Sequence, residues 1–457
     1  MISPSIFKSY DIRGLVASEL SGTLAYQLGR ALVVFFEQEG VSFERGLFAV
    51  GYDMRTTSVE YTRELVRGIT DQGVDVAHIG LVSTPLFNIT VAREEQYLAG
   101  VMVTASHNPA EYNGFKITRG NGLPVGMGSG MEMVRDLTIQ NQFGLAQRKG
   151  SEIFRDPTLS YVEQIMSLVD ISSITPKKVV VDYGNGMGSV ILPNILSRLP
   201  LEVVSLYDTP DGTFPNHEAN PLRVDTLRDL QKKVIETGAD FGFALDGDAD
   251  RIGLVDERGE IVPPSQVGIL LGLEVLRLHN NVGHMLYDLR SSTAIKEAWE
   301  AAGATTQMCR VGHAHIKKQV RDTGAIFASE LSLHLYYGDL YGVESSDFSC
   351  VLIASLLSRQ IVPLSTLVAP YMQYAHSGEI NFHIEDKDGA IDRIISHFRN
   401  QILEENTLDG AWFRCEWGWV SLRKSNTEPV LRLNLETAQL ELTKEKVNEI
   451  TQLLVSK

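Results

Sequence analysis

A chain of 457 residues, 44% apolar and 21% charged, has the material for several packed cores at about 150 residues per domain and is not of disordered composition. Its 41 basic and 57 acidic residues leave a formal charge of −16, which argues against nucleic acid and anionic membrane as partners, since both demand a basic face. No apolar run approaches the ~18 residues that span a bilayer, Met1-Ile2-Ser3-Pro4 lacks the regions of a signal peptide, and the scattered Cys309, Cys350 and Cys415 form no pairing or zinc-ligand pattern; the expected compartment is a reducing cytoplasm.

In chain order, Tyr10-Asp11-Ile12-Arg13-Gly14 comes first and puts an arginine just past a strand-like run. Apolar spacing then predicts a helix over 24–38, a strand over 47–50, a helix over 59–72 and a strand over 74–78. The segment Gly51-Tyr52-Asp53-Met54-Arg55 places a second arginine just past a strand. Either arginine, taken separately, reads as a surface ion pair. A short apolar strand over 98–103 delivers Thr104-Ala105-Ser106-His107-Asn108-Pro109. A serine hydroxyl is a poor nucleophile unless a neighbour takes its proton or a cation stabilises what it becomes. Alone, Ser106 reads as a turn serine; His107 and Asn108 are suited to fixing the turn, and Lys116 to serving as proton shuttle or phosphate partner.

After the glycine-rich stretch 120–130 the α/β rhythm recurs: a helix over 161–168, a strand over 178–182, a glycine turn at 184–188, a helix over 224–236 and a strand over 241–245. That last strand feeds Asp246-Gly247-Asp248-Ala249-Asp250-Arg251. Three acids at alternate positions are costly together unless a divalent cation neutralises them. Glu257 falls where a calcium-binding helix-loop-helix wants its bidentate acid, but Arg251 occupies the position that motif reserves for glycine. Magnesium, with Arg251 beside a phosphate, fits better.

A third round follows, with a helix over 267–278, a strand over 285–289 and a helix over 293–302. Arg310-Val311-Gly312-His313-Ala314-His315 is ambiguous, since two histidines at i, i+2 share no helical face. Glu330, Ser332 and His334 alternate; in extended conformation all three point the same way, as donors and acceptors for sugar hydroxyls. The last ~80 residues read as a smaller α+β domain, whose inner strands are joined by Arg423-Lys424-Ser425-Asn426-Thr427-Glu428-Pro429. A guanidinium, hydroxyls and successive N–H groups suit a phosphate.

The order of these elements (serine loop, aspartate loop, Glu/Ser/His segment, arginine turn) resembles the α-D-phosphohexomutase superfamily over essentially the whole chain. The resemblance extends to the opening Phe7-Lys8-Ser9-Tyr10-Asp11-Ile12-Arg13-Gly14 and to Asn426-Thr427-Glu428-Pro429-Val430-Leu431-Arg432-Leu433-Asn434 near the end. It implies three similar α/β mixed-sheet domains (1–150, 151–258 and 259–373) plus a C-terminal α+β domain (374–457) around a central cleft. It also implies roles. Ser106 carries the phosphoryl group. Asp246, Asp248 and Asp250 hold Mg²⁺ with a phosphoserine oxygen. Arg13 and Lys116 assist proton transfer beside His107. Glu330 and Ser332, with His334 next to them, contact sugar hydroxyls; Arg290 and His313 are further active-site donors. Arg423, Ser425, Asn426 and Thr427 grip the distal phosphate, with Arg55 and Arg251 in support.

Ser329 and Leu333 depart from the pattern, standing where that loop has a glycine or another small residue. Leucine cannot cheaply adopt φ > 0, so a different loop path or less room beside the sugar is expected. The expected function is a phosphomannomutase working through phosphoserine and a hexose 1,6-bisphosphate on hexose phosphates, as monomer or homodimer, with activity on glucose phosphates also open. The alternatives are a phosphoglucosamine mutase, a phosphatase, or a sugar-phosphate-binding protein that has lost turnover.

Overall fold

The computed structural model describes residues 2–360, 362–424 and 430–455. Four sheets form one after another along the chain. The first domain contains β1 (Ile12–Leu15), α1 (Gly22–Gln38), β2 (Leu47–Tyr52), α2 (Ser58–Asp71), β3 (Val76–Leu81), α3 (Thr84–Arg93), β4 (Tyr97–Val103), β5 (Tyr112–Arg119), α4 (Met131–Gln140) and β6 (Glu152–Phe154), with sheet order β1-β5-β4-β2-β3-β6. The second contains α5 (Thr158–Ser167), β7 (Lys177–Asp182), α6 (Gly188–Leu196), β8 (Leu201–Leu206), α7 (Arg228–Thr237), β9 (Phe241–Leu245), β10 (Ile252–Asp256) and β11 (Ile261–Val262), ordered β11-β10-β9-β7-β8.

The third contains α8 (Pro264–Leu278), β12 (His284–Asp288), α9 (Thr293–Ala301), β13 (Thr305–Cys309), α10 (His313–Thr323), β14 (Phe327–Ser329), β15 (Leu335–Tyr337), β16 (Val343–Glu344), α11 (Ser346–Arg359) and α12 (Leu364–Val368), ordered β13-β12-β14-β15-β16. The C-terminal domain contains β17 (Ala375–His376), β18 (Ile380–His383), α13 (Lys387–Phe398), β19 (Glu404–Asn406), β20 (Ala411–Cys415), β21 (Gly418–Lys424), β22 (Val430–Thr437) and α14 (Leu440–Val455), with sheet order β17-β22-β21-β20-β19 and β18 also on β22.

The first three sheets repeat one four-strand unit. In β3-β2-β4-β5, in β8-β7-β9-β10 and in β13-β12-β14-β15 the first two pairings are parallel and the last is antiparallel. The parallel strands are covered on both faces, which is why β9 (Phe-Gly-Phe-Ala-Leu) is apolar and buried throughout. In each unit the connection from third to fourth strand carries one motif: residues 104–111 after β4, 246–251 after β9 and 330–334 after β14. The rhythm expected at ~100-residue intervals is this repeated topology.

Some elements depart from the sequence-based expectations. Helix α3 has no amphipathic period because Thr84 to Val91 are all buried. The segment 224–236 begins as a 3₁₀ turn over Val224–Leu227 and becomes α-helical only at Arg228. Glu330, Ser332 and His334 do not lie in an extended strand; they form the turn between β14 and β15. No single helix among the described residues is long and apolar enough to cross a membrane.

One apolar core runs through the first three domains, from Phe87 and Ile89 through Val179 and Phe243 to Trp299 and Phe348. The C-terminal domain has a separate core around Ile394, Phe398, Leu433 and Ile450. It meets the third domain through a small cluster of Leu289, Val311, Trp412 and Trp419.

In the first domain α1 and α2 cross at glycines. A Cβ on Gly29 would stand 2.2 Å from the Leu65 carbonyl oxygen, and one on Gly68 would stand 2.2 Å from that of Tyr26. Alanine normally gains about 1 kcal/mol over glycine inside a helix, but a backbone clash this close cannot be relieved by a rotamer. Gly29→Ala is therefore expected to lower stability by about 1–3 kcal/mol, read as a fall in the urea unfolding midpoint; an unchanged or raised midpoint would show that the helices can separate freely.

Candidate active site

The serine loop is held from beneath by one arginine. Arg55, buried at the end of β2, donates from Nη1 to the carbonyls of Pro109 and Tyr112, both at 2.8 Å, and from Nη2 to that of Ser106 at 2.9 Å and that of Asn108. Asp53 pairs with Arg55 at 3.3 Å, so the guanidinium enters the interior with its counter-charge. Ser106 itself sits at φ +52°, a strained value for serine. Its N–H donates to Thr104 Oγ1 at 2.9 Å, and its Oγ donates to Asp246 Oδ2 at 3.1 Å. His107 Nδ1 lies 3.2 Å from the same oxygen. Burial, then the charges of Arg251 and Arg13, lower the His107 pKa well below its ordinary value, so the ring is neutral.

The aspartate loop docks onto this serine from the second domain. Asp246, Asp248 and Asp250 are buried, and their ligand oxygens lie within 4.8 Å of one another. Asp246 Oδ1 accepts the N–H groups of Asp250 (2.9 Å) and Arg251 (3.1 Å). Asp248 Oδ2 accepts Thr84 Oγ1 and Lys116 Nζ, both at 2.6 Å, and Lys116 also donates to Asp250 Oδ2 at 2.6 Å. Burial and then the neighbouring Asp250 and Asp248 raise the Asp246 carboxyl well above the usual range. Burial alone would lower Lys116, but the two aspartates outweigh it and hold the ammonium protonated. Asp248 Oδ1 is buried with no hydrogen-bond partner. Asp250 Oδ1 likewise makes no hydrogen bond among the described residues, and three converging carboxylates with two oxygens left over suit a hard divalent cation. Gly247 is needed for the approach, since a Cβ there would stand 2.5 Å from the Ser106 carbonyl oxygen.

From the third domain, the 330–334 turn closes the wall. His334 Nε2 lies 3.2 Å from Asp250 Oδ1, and Arg251 Nε points at the same nitrogen from 3.3 Å. Its Nδ1 meets Ser332 Oγ at 2.8 Å and Glu330 Oε2 at 3.2 Å. Burial opposes protonation of His334, yet the Asp250 charge and the carboxylate bonds lift its pKa to about 9. Glu330 also accepts the N–H of Gly312 (2.9 Å) and the Tyr336 hydroxyl (3.0 Å). Burial would raise this carboxyl, but His334 and Arg290 hold it below the ordinary carboxylate range.

Leu333 has φ +69°, the left-handed value that leucine was expected to avoid. The loop keeps the path a glycine would take. The strain, about 1–2 kcal/mol, is offset by burying the side chain in the core of the first three domains, a gain of about 1.5–3 kcal/mol. The leucine therefore takes no room beside the cleft. Ser329 is accommodated by a glycine opposite, because a Cβ on Gly268 would stand 2.2 Å from Ser329 Oγ.

A cleft of about 690 Å³ collects these groups, lined by Arg13, Ser106, His107, Lys116, Asp250, Arg251, His313, His334 and Arg423 among others. Asp246 and Asp248 lie beneath it. Arg290, Glu330 and Ser332 do not line it but stand one layer behind: Arg290 donates to Asp288 Oδ2 at 2.7 Å and lies 3.5 Å from both Glu330 and Glu379. Ser425, Asn426 and Thr427 lie outside the described residues. Asn108, read from sequence only as fixing the serine turn, lines the cleft, as do Lys8, Tyr10 and Arg432, which along with Thr84 were not read as site residues. Lys8 and Tyr10 belong to the opening motif and Arg432 to the closing one; nothing local marks Thr84, which meets Asp248 only through folding. Among the described residues the lining holds seven lysine or arginine side chains against two carboxylates. A chain of charge −16 thus has a locally cationic cavity, the condition for attracting an anion.

Family comparison covers nearly the whole chain. The phosphoglucomutase/phosphomannomutase alpha/beta/alpha domains I, II and III match residues 4–138, 159–259 and 263–374, and the C-terminal domain of the same family matches 379–453. A phosphomannomutase from Methanocaldococcus jannaschii is 34% identical over 452 residues, covering 98% of this chain and 97% of its own. Phosphohexose mutases from Xanthomonas campestris pv. campestris are 35% identical over 460 residues, with 98% of each chain covered. The crystal structure of a phosphoglucomutase/phosphomannomutase family protein from Burkholderia thailandensis superposes with a TM-score of 0.90 at 30% identity, covering 99% of this chain and 98% of that one.

Two outcomes follow from the geometry. The chain is expected to bind one divalent cation, and Asp248→Ala to weaken it by about 100-fold or more, measured by Mn²⁺ titration; unchanged affinity would place the cation elsewhere. Arg55→Lys replaces a fork of donors by a point charge and leaves buried carbonyls unpaired, at about 1–3 kcal/mol each. Limited proteolysis between residues 104 and 112 should accelerate in that variant, and a cleavage rate equal to wild type would deny Arg55 its role in holding the loop.

Proposed function

This chain belongs to the phosphoglucomutase/phosphomannomutase family, and from that membership we propose that it interconverts mannose 6-phosphate and mannose 1-phosphate through phospho-Ser106 and a hexose 1,6-bisphosphate. It is a phosphohexomutase, an intramolecular phosphotransferase. One observation carries the phosphoserine part of that reading, while the choice of mannose rests on the phosphomannomutase relatives: a buried serine hydroxyl hydrogen-bonds at 3.1 Å to a cluster of three acids whose other two members are paired to one lysine, at the base of a cationic cleft.

Phosphoryl transfer needs charge neutralised on the equatorial oxygens and an acceptor held in line, more than any covalent device. Mg²⁺ held by Asp246, Asp248, Asp250 and the oxygen on Ser106 would supply part of that neutralisation. Lys116, Arg13 and Arg251 supply more from the chain. In the forward step the P–Oγ bond of phospho-Ser106 breaks as a sugar hydroxyl bonds to phosphorus. Ser106 Oγ takes up a proton from Lys116, and the sugar hydroxyl passes its own proton to the lysine, which restores the ammonium. The bisphosphate turns over, its other phosphate returns to Ser106, and the proton movements reverse. Neutral His107, 3.2 Å from Oγ, orients the hydroxyl for that return step. His313 and His334, which line the cleft, hold sugar hydroxyls, with Glu330, Ser332 and Arg290 supporting them from one layer behind, and Arg423 with Ser425, Asn426 and Thr427 holds the distal phosphate. Because these groups recognise hydroxyls and a phosphate rather than one end of the sugar, they accept both orientations. A hinge near Ala375 to Gly378, where Gly378 takes φ +70°, lets the C-terminal domain close and keep water from the phosphoserine.

A coupled assay with mannose 1-phosphate and glucose 1-phosphate, primed with bisphosphate and Mg²⁺, tests this reading. Ser106→Ala should lose turnover by several powers of ten while substrate affinity stays nearly intact, and kcat/KM should favour mannose. Wild-type turnover in the alanine variant would remove Ser106 as carrier. A preference for glucose would overturn the mannose assignment, and phosphate release matching substrate loss would make the protein a phosphatase.

A further inference from the structure

The 330–334 turn is closed by Glu330 N–H donating to the His334 carbonyl and Leu333 N–H donating to that of Glu330, both at 3.0 Å. With φ +69° at Leu333, the side chain enters the core shared with Ile252 and Leu254 of the second domain. Its Cδ1 lies 3.8 Å from where a Cβ on Gly253 would stand, and its carbonyl accepts the N–H of Ile252 at 3.4 Å. Ile252 and Gly253 open β10 directly after Asp250-Arg251. The next residue in the turn, His334, faces that same dipeptide, 3.2 Å from Asp250 Oδ1 and 3.3 Å from Arg251 Nε. Two adjacent residues of the third domain therefore grip two adjacent parts of the second, one through apolar burial and backbone, the other through polar contacts in the cleft wall.

We propose that Leu333 is a positioning residue whose buried side chain pegs the third-domain turn to the start of β10 and so fixes His334 against Asp250 and Arg251. Glycine is what this backbone conformation asks for. Leucine gives up backbone ease for an anchor in the neighbouring domain, and the anchor lies one peptide bond from a cleft side chain. A mere core filler would affect stability only; a peg also sets where the imidazole stands. The inference rests on the mutase reading of the cleft and adds to it a source of rigidity for that wall.

The test uses the full chain with Mg²⁺ and bisphosphate, beginning with the wild type. Leu333→Gly is expected to lower kcat by about 10–100-fold, as misplacement of a cleft group does, with KM changed by no more than about threefold, while Leu333→Met, which keeps a long apolar side chain, should stay within about threefold of wild-type kcat. Leu333→Ala keeps a Cβ on the strained backbone and loses the peg. It should share the kcat loss and unfold at a lower urea concentration than Leu333→Gly, the reverse of the usual ranking. Should the glycine variant not fold, the alanine and methionine variants carry the comparison. Wild-type kcat in whichever truncated variant folds, a loss in KM alone, or a methionine variant as slow as alanine would overturn the peg. No turnover in the wild type would instead overturn the mutase reading, and this inference with it.

Discussion

Burying three carboxylates side by side is the constraint on which the rest of the molecule depends. Charges removed from water cost several kcal/mol each unless partnered, and here the partners come from a different domain. Lys116 on β5 neutralises Asp248 and Asp250, Thr84 at the head of α3 donates to Asp248, and the Ser106 hydroxyl donates to Asp246. The first and second domains thus dock in the register that satisfies the acids, and that register sets the serine beside them. The close approach of Gly247 to the Ser106 carbonyl is the steric side of the same fit. Interdomain docking and placement of the Ser106 hydroxyl are one set of contacts. That is why the loop beneath is fixed so heavily, with Arg55 occupied by four carbonyls.

Repetition explains how the other elements arrive at the same place. In open α/β sheets ligands gather beyond the carboxyl ends of the parallel strands. In each of the first three domains the connection leaving that end, between the third and fourth strand of the unit, carries the chemistry. It is a serine after β4, acids after β9, and a Glu/Ser/His turn after β14. One backbone solution is used three times with different side chains, and convergence of the three ends makes a single cleft. The fourth domain reaches the cleft by another route, through the arginine end of the β21–β22 hairpin.

The sequence made the first two of these loops legible because their chemistry is written in consecutive residues. Ser106-His107-Asn108 and Asp246-Gly247-Asp248-Ala249-Asp250 are unusual strings whatever surrounds them, and the apolar strands that feed them read correctly. Contacts made across long separations were not legible. Thr84 meets Asp248 although the two are 164 positions apart, and Arg55 looked like a surface pair although it is interior. The alternation of Glu330, Ser332 and His334 fits a strand, but the hairpin turns there and brings the side chains together by curvature. Leu333 was read through its intrinsic reluctance to adopt positive φ. That penalty is offset by the burial of a leucine in a neighbouring domain, and no local pattern reports a partner strand such as β10.

The placement of the cations divides the molecule unevenly. Lys116, Arg13 and Arg251 are anchored in domains that share one continuous core, so their positions relative to Ser106 are fixed. Arg423 and Arg432 belong to a domain with its own core, joined to the third by a small aromatic cluster and by ion pairs such as Arg290–Glu379 at 3.5 Å. Bonds of that kind re-form at modest cost after a displacement, whereas a shared apolar core does not. On the mutase reading this asymmetry matches the task. The phosphoryl donor and its neutralising charges must not move, because in-line transfer tolerates little error. The group that holds the far end of the sugar must release and recapture an intermediate that reverses itself. A rigid three-domain body facing a lightly attached cationic fourth domain satisfies both demands within one chain.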